Sequence, residues 1–369
     1  MKKFLSKIYY LSSGSGINIF RKILIKFRGE KMFSLPRKAT IEITWNCNLN
    51  CIICPRLLMT NPNRNMSLES YKLLLEKMPS LWQINFLGLG EPLMHPDFLE
   101  MIRLADSRGI KVTFTTNGLL FTDDYVKKLP SNVYKIIFSI DSPIPEVYRQ
   151  IRGANLNRVI ENLKKIKKAR PDIEIIIQSI LMTETIEKMH KMVDLAAEVK
   201  AGISLLFPSN FDLTRDPSHP HYLSNCHSLL NRIYHCADEK GVAISGPPAV
   251  PTKRLCLDPW YGLMISIEGD IFPCCFIYGN VSEKIPPEYY LGQIIKVPVE
   301  QYKMGNIFRD KIKDIWNSPK YQLLRKTILE SESPRVLSRE DFNKMRRELD
   351  LTKPFSYCKI CLFRWNCAC

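Results

Sequence analysis

No stretch of this 369-residue sequence approaches the ~20 consecutive apolar residues that a membrane-spanning helix needs. The basic N-terminal region lacks the continuous apolar segment and small-residue cleavage site of a secretory signal, which predicts a cytoplasmic chain. No basic motif interleaved with aromatics accompanies the lysines and arginines, so nucleic acid is not an expected partner. No Ser-His-Asp set is apparent either, so the chemistry has to come from elsewhere. One further absence is the most informative: after Cys47, Cys51 and Cys54 no cysteine follows until Cys226.

What is present is ordinary in bulk and unusual in detail. Apolar residues make up 45% and charged residues 24%, enough for a large core without disulfide staples. Twelve cysteines are many for such a chain, and they gather in two groups, which in a reducing compartment reads as metal ligation or catalysis. Net charge is +16, and ten of the basic residues, Lys38 at the start of the first strand included, lie in the first 38 positions against a single acid, Glu30. The stretch "INIFRKILIKF" places apolar and basic residues on roughly opposite helical faces. It is compatible with docking on an anionic membrane surface and with a solvated helix packed on the rest of the fold.

From about Lys38 strand-like and helical patterns alternate in units of roughly 30 residues. The strand-like runs are "KATIEITW", "WQINFLG", "GIKVTFTTN", "VYKIIFSID", "DIEIIIQSIL" and "AGISLLF". Helical patterns lie between them, for example "SLESYKLLLEKM" and "LNRVIENLKKIKKA", with Ser67 and Asn155 as opening caps. Six such units predict an α/β fold, a partial (β/α)6 TIM-like barrel with its active face at the carboxyl ends of the strands. After Phe207 the pattern changes to a Pro/Ser/Asp-rich linker, a helix carrying Cys226, His227, His235 and Cys236, and an irregular connector, "VAISGPPAVPTKRL". "WYGLMISIEGDIFPCC" reads as a β-hairpin around Gly269-Asp270, and a helix interrupted near Pro319 follows. The expected division is a basic extension over 1–37, the barrel over 38–240 and a small cysteine-rich β-hairpin/helix module over 241–369.

Three thiols at the end of the first strand are one short of a closed zinc site. Thiolates hold iron–sulfur clusters well, and a cubane held by three of them keeps one iron without a protein ligand. That iron can chelate a small molecule. In this the sequence resembles the radical S-adenosylmethionine (radical SAM) superfamily, whose hallmark is Cys-x3-Cys-x2-Cys after the first strand of a partial barrel. "GLGEP" after strand two is similar to the family's Gly-Glu-Pro motif, "TTNG" closes strand three, and "SIDS" with the later "IRG" follows strand four. The resemblance implies a [4Fe-4S] cluster on Cys47, Cys51 and Cys54 with S-adenosyl-L-methionine chelated to its open iron. Gly88, Gly90 and Glu91 then meet the amino group, with Asn117 at the next strand end. Ser139 and Arg152 take the carboxylate and ribose end, with Asp141 nearby, Gln178 as a ribose contact and Leu206 against adenine. The implied reaction is reductive cleavage to a 5′-deoxyadenosyl radical that takes a hydrogen atom from substrate, with flavodoxin or ferredoxin as reductant.

The C-terminal segments "CLDPWYGLMISIEGDIFPCC" and "GNIFRDKIKDIWNSP", with the terminal Cys-x2-Cys, resemble the SPASM or twitch extension of such enzymes. This implies one auxiliary [4Fe-4S] cluster held by Cys256, Cys274, Cys358 and Cys361. Replacement of one ligand by Cys367 or Cys369, and a zinc knuckle at the terminus, stay open. Cys275 is a candidate base or hydrogen donor, or a spare thiol. Three functions are compatible with these residues. The first is oxidation or rearrangement of a small polar molecule such as a sugar, cyclitol or glycan precursor. The second is maturation of a ribosomal peptide or protein, and the third a non-catalytic metal scaffold at a membrane surface.

Overall fold

The computed structural model describes residues 30–32, 34–59, 62–206, 226–247, 256, 258–275, 302–330, 355 and 358. The six expected strands form: β1 (Lys38–Ile41), β2 (Gln83–Phe86), β3 (Lys111–Thr116), β4 (Val133–Ser139), β5 (Glu174–Ile180) and β6 (Gly202–Leu206). Four more follow: β7 (Ile244–Ser245), β8 (Gly262–Ile265), β9 (Asp270–Phe272) and β10 (Gly305–Asn306). All ten share one open sheet in the order β10-β9-β8-β1-β2-β3-β4-β5-β6-β7. From β8 through β7 every neighbour is parallel, whereas β9 and β10 are antiparallel additions.

Two details depart from the sequence reading. The connector "VAISGPPAVPTKRL" contributes a strand, β7, which pairs with β6. The β8–β9 hairpin does not fold away from the barrel: β8 joins the free edge of β1, with Ala39 opposite Leu263 and Ile41 opposite Ile265. A hairpin whose residues are nearly all buried needs cover on an edge as well as a face, and β1 supplies that edge.

Crossover helices pack on one face of the parallel strands. They are α1 (Leu68–Lys77), α2 (Phe98–Asp106), α3 (Asp123–Lys128), α4 (Pro145–Arg152), α5 (Leu156–Ala169) and α6 (Met189–Val199). The caps read from sequence are in place: the Ser67 hydroxyl accepts from Ser70 N at 3.0 Å and the Asn155 side chain from Asn157 N at 3.0 Å, each holding an otherwise orphaned first-turn amide. Helix α4 ends on Gly153 at φ +70°, a left-handed C-cap that suits glycine. Under these helices, rings from the sheet and from α2 pack edge to face: Phe86–Phe98 and Phe98–Phe114 both have centroids 5.3 Å apart, at 84° and 89°. Such pairs add about 0.5–1.5 kcal/mol beyond their buried area.

Strand alternation then decides what the other, concave face carries. Ile84, Phe86, Phe114, Ile136, Phe138, Ile175 and Ile177 are spent on the helix side, so their alternate neighbours point inward. The later helices are α7 (Cys226–Glu239), α8 (Ile312–Trp316) and α9 (Pro319–Glu330), the last two broken near Pro319 as the sequence implies. Among the described residues no helix is long and apolar enough to cross a membrane.

Candidate functional site

The thiols of Cys47, Cys51 and Cys54 sit on the loop that leaves β1, and neighbouring strand ends hold this loop in place. Ile52 N donates to Ile151 O at 3.0 Å, and the Cys51 thiol contacts Arg152 O at 3.8 Å. The loop therefore docks on the carbonyl end of α4. Arg56 fixes its other side, donating from Nε to Trp45 O at 2.6 Å and from Nη1 to Asn50 Oδ1 at 3.2 Å. Burial pushes all three thiols up, Cys54 to about 12, and the Cys47 and Cys51 thiols add to the shift at Cys54. Among the described residues no three His, Cys, Asp or Glu side chains stand at metal-holding distance. The trio is a soft, three-thiol donor set in a largely water-shielded loop, and binding a metal there releases protons because only thiolates ligate. That chemistry fits an iron–sulfur cluster with one open iron.

The Gly88–Pro92 loop lies against the same segment. Its geometry turns on a residue that sequence reasoning passed over, Glu42, which is 1% exposed. One carboxylate oxygen accepts Trp45 Nε1–H at 2.7 Å and the other accepts Leu89 N–H at 2.7 Å. A Cβ on Gly88 would stand 2.3 Å from Glu42 Cγ, and one on Gly90 2.3 Å from Thr44 O, so both glycines are demanded by close approach. Glu91 N then donates to Asn46 O at 2.8 Å. The Glu91 carboxylate is buried and accepts from Thr116 Oγ1 and Asn117 N, each at 2.7 Å. Burial pushes it up to about 7, against the pull of those bonds. Asn117 ties the third strand end back to the cysteine loop, donating from Nδ2 to Asn48 Oδ1 at 2.7 Å.

On the far side of the mouth Asp141 is fully buried. It accepts Arg152 Nε–H at 2.6 Å and Ile180 N–H at 3.0 Å. Asp141 thus meets Arg152 instead of standing free. Burial works against the guanidinium's charge, but Asp141 and the Cys51 thiol outweigh it and hold Arg152 protonated. Ser139 lies opposite Gln178, Gln178 opposite Ser204, and Leu206 ends β6 opposite Ile180. The sequence-predicted residues Gly88, Gly90, Glu91, Asn117, Ser139, Asp141, Gln178 and Leu206 therefore stand at or near consecutive carboxyl ends of β2 to β6, and Arg152, at the end of α4, reaches them through Asp141.

Below that rim the concave face carries a polar row in register, Thr40–Asn85–Thr113–Lys135–Glu174. Lys135 Nζ lies 3.1 Å from Glu174 Oε2. Among the described residues, Asn85 Oδ1 and Thr113 Oγ1 are buried without a hydrogen-bond partner.

In the C-terminal module Cys256 and Cys274 flank the hairpin, both half-buried, and Cys358 is buried. The hairpin turns on Gly269 at φ +82°, where a Cβ would stand 2.4 Å from the Phe308 ring. Cys275 is exposed. Cys361, Cys367 and Cys369 lie outside the described residues, as do the side chains of Cys226 and His227. His235 pairs with Glu239 at 3.7 Å on an exposed helix face.

Comparison with known proteins gives two domains and several relatives. Residues 41–196 match the Radical SAM superfamily and residues 256–362 match SPASM, an iron–sulfur cluster-binding domain. The chain is 30% identical over 289 residues to the AdoMet-dependent heme synthase of Methanosarcina barkeri, covering 69% of this chain and 81% of that protein. It is 28% identical over 305 residues to the tungsten-containing aldehyde ferredoxin oxidoreductase cofactor-modifying protein of Pyrococcus furiosus, covering 77% and 82%. Among solved structures, Streptococcus suis SuiB bound to precursor peptide SuiA superposes with a TM-score of 0.62 at 19% identity, covering 83% of this chain and 70% of that one.

Proposed function

The chain belongs to the radical SAM superfamily and carries a C-terminal SPASM iron–sulfur domain, and on that premise we propose that it oxidises or rearranges a small polar molecule, such as a sugar, cyclitol or glycan precursor. Membership among enzymes sets aside the non-catalytic scaffold. With its cluster bound, S-adenosylmethionine supplies a 5′-deoxyadenosyl radical that removes a hydrogen atom from substrate, so the cofactor carries the hard chemistry.

The protein's part is to position groups and exclude water. Cys47, Cys51 and Cys54 hold the barrel cluster. Glu91 receives the amino group of S-adenosylmethionine, on a loop that Gly88 and Gly90 allow to lie flat against residues 42–46. Asp141 orients Arg152 toward the carboxylate and ribose end beside Ser139, with Gln178 at the ribose and Leu206 against adenine. Cys256, Cys274, Cys358 and Cys361 would hold an auxiliary cluster able to accept an electron, Cys275 is the exposed thiol available as base or hydrogen donor, and flavodoxin or ferredoxin is the reductant. Residues 38–240 and 241–369 divide these roles, and the basic 1–37 segment is a peripheral contact for an anionic membrane surface.

The observation that carries the substrate class is the polar row on the concave face. A sheet face that, among the described residues, buries Asn85 Oδ1 and Thr113 Oγ1 without partners beside the Lys135–Glu174 pair favours a ligand rich in hydroxyl or amino groups over an apolar one. Net charge favours a second reading, maturation of a ribosomal peptide or protein: a chain at +16 attracts an acidic leader. Deuterated candidates separate the two. Reduced, reconstituted enzyme is incubated with S-adenosylmethionine and either deuterated polyols and nucleotide sugars or deuterated peptides. Deuterium in 5′-deoxyadenosine from the first set supports the small-molecule reading; transfer only from peptides overturns it.

A further inference from the structure

Two groups in the C-terminal module are buried without the partners that burial demands. Tyr321 and Arg325 lie one turn apart on α9, and each is 0% exposed. Arg325 donates from Nε to Pro259 O at 2.8 Å and from Nη1 to Glu30 O at 2.9 Å. Among the described residues its Nη2 has no acceptor, and the Tyr321 hydroxyl has no partner. The guanidinium lies 4.5 Å from the Trp316 ring centroid and 4.7 Å from that of Tyr321. Among the described residues no carboxylate forms an ion pair with it. An unpaired buried cation and an unmade buried hydrogen bond are both costly, and native folds rarely keep either without a reason.

Two candidate auxiliary ligands, Cys256 and Cys274, pack against the same core. Pro259, whose carbonyl Arg325 holds, is three residues past Cys256 on the helical turn Asp258–Tyr261. Burial pushes the Tyr321 phenol up, Arg325 opposes that, and the nearby Cys274 thiol and Asp258 add to it. A [4Fe-4S] cluster with four thiolates is anionic, its sulfurs accept hydrogen bonds, and such bonds and nearby charge set its potential. The geometry points to Tyr321 as a hydrogen-bond donor to the auxiliary cluster's sulfur shell, with Arg325 stacked behind its ring as the buried counter-charge. Together they raise the cluster's reduction potential, which suits an acceptor of substrate electrons. This rests on Cys256 and Cys274 being ligands.

The test uses the full chain with Cys47, Cys51 and Cys54 changed to Ser, so that only auxiliary iron remains, reconstituted anaerobically. Iron content and an EPR-monitored redox titration are the readouts, and neither depends on turnover. Tyr321→Phe keeps the ring stack and removes only the O–H. We expect it to retain its iron while the reduction equilibrium shifts about tenfold toward the oxidised form, about 59 mV for one electron. Arg325→Gln should shift in the same direction. An unchanged midpoint in Tyr321→Phe overturns the inference, and so does loss of iron, because the phenol would then build the site and not tune it. Cys274→Ala keeps the two readings apart. If auxiliary iron survives that change, the ligand assignment fails whatever Tyr321 does; if iron is lost while Tyr321→Phe titrates as its parent, only the inference about Tyr321 fails.

Discussion

Replacing Glu42 by Gln tests whether a buried acceptor braces the mouth of the barrel. The carboxylate has two oxygens and meets two donors, Trp45 Nε1–H and Leu89 N–H, both at 2.7 Å. Glutamine keeps one acceptor and turns an amide NH2 toward the other donor, with no water at 1% exposure to relieve the clash. An unmade buried hydrogen bond costs about 1–3 kcal/mol. Unfolding entropy of about 2.1 cal/mol/K per residue, taken over 369 residues, converts that into a fall in melting temperature of about 1–4 °C. Because Leu89 lies between Gly88 and Gly90, slack in this bond also loosens the Glu91 loop, so affinity for S-adenosylmethionine falls with stability. Anaerobic thermal melts and equilibrium dialysis against labelled S-adenosylmethionine read both effects. Asp124→Ala is the control, since it breaks an exposed i,i+4 pair with Lys128 worth about 0.3–0.5 kcal/mol and far from the mouth. A Glu42→Gln protein that melts and binds like wild type would refute the bracing argument.

Two further outcomes follow from the same site. With its carboxyl pushed up to about 7, Glu91 is largely neutral at pH 6 and cannot pair with an ammonium group; affinity for S-adenosylmethionine should rise with pH through about 7, and Glu91→Gln should bind weakly with a flat profile. For folding the sign is opposite: the raised value means Glu91's relative contribution is fully present below the ordinary carboxyl range and is lost as pH rises to about 7, which a pH series of melts reads as a slope absent from Glu91→Gln. Asp141→Asn removes the counter-charge of Arg152, a pair 0% and 13% exposed, and breaking such a buried pair costs about 3–5 kcal/mol; the melting temperature should fall by more than in Glu42→Gln, and an equal or smaller fall would show Arg152 to be satisfied elsewhere.

Much of this was legible in the sequence because the barrel repeats one rule. Each parallel strand spends alternate residues on its helix, so runs such as "DIEIIIQSIL" and "GIKVTFTTN" announce themselves, and punctuation by Ser67, Asn155 and Gly118 falls where turns require it. Strand ends then gather the motifs without any need to know angles. What escaped was set by tertiary packing. Helix α4, "PEVYRQIR", buries only Tyr148 and Ile151, too few apolar positions to show a period. Strand β7 has two residues and no pattern at all. The seat of β8 on β1 is a pairing more than 200 residues apart in the chain, invisible to local reading. Glu42 falls on a polar position of the alternating run "KATIEITW", and only the closeness of Gly88 reveals it as a brace.

The central claim is that the iron at the mouth of the barrel has one position open for S-adenosylmethionine. Its most direct test is the protein with Cys256, Cys274, Cys275, Cys358, Cys361, Cys367 and Cys369 all changed to Ser, reconstituted anaerobically, reduced with dithionite and given S-adenosylmethionine. A cubane on Cys47, Cys51 and Cys54 whose EPR signal changes on adding S-adenosylmethionine, with 5′-deoxyadenosine formed, is the predicted result. Zinc in place of iron, or a cluster whose signal ignores S-adenosylmethionine, would contradict it.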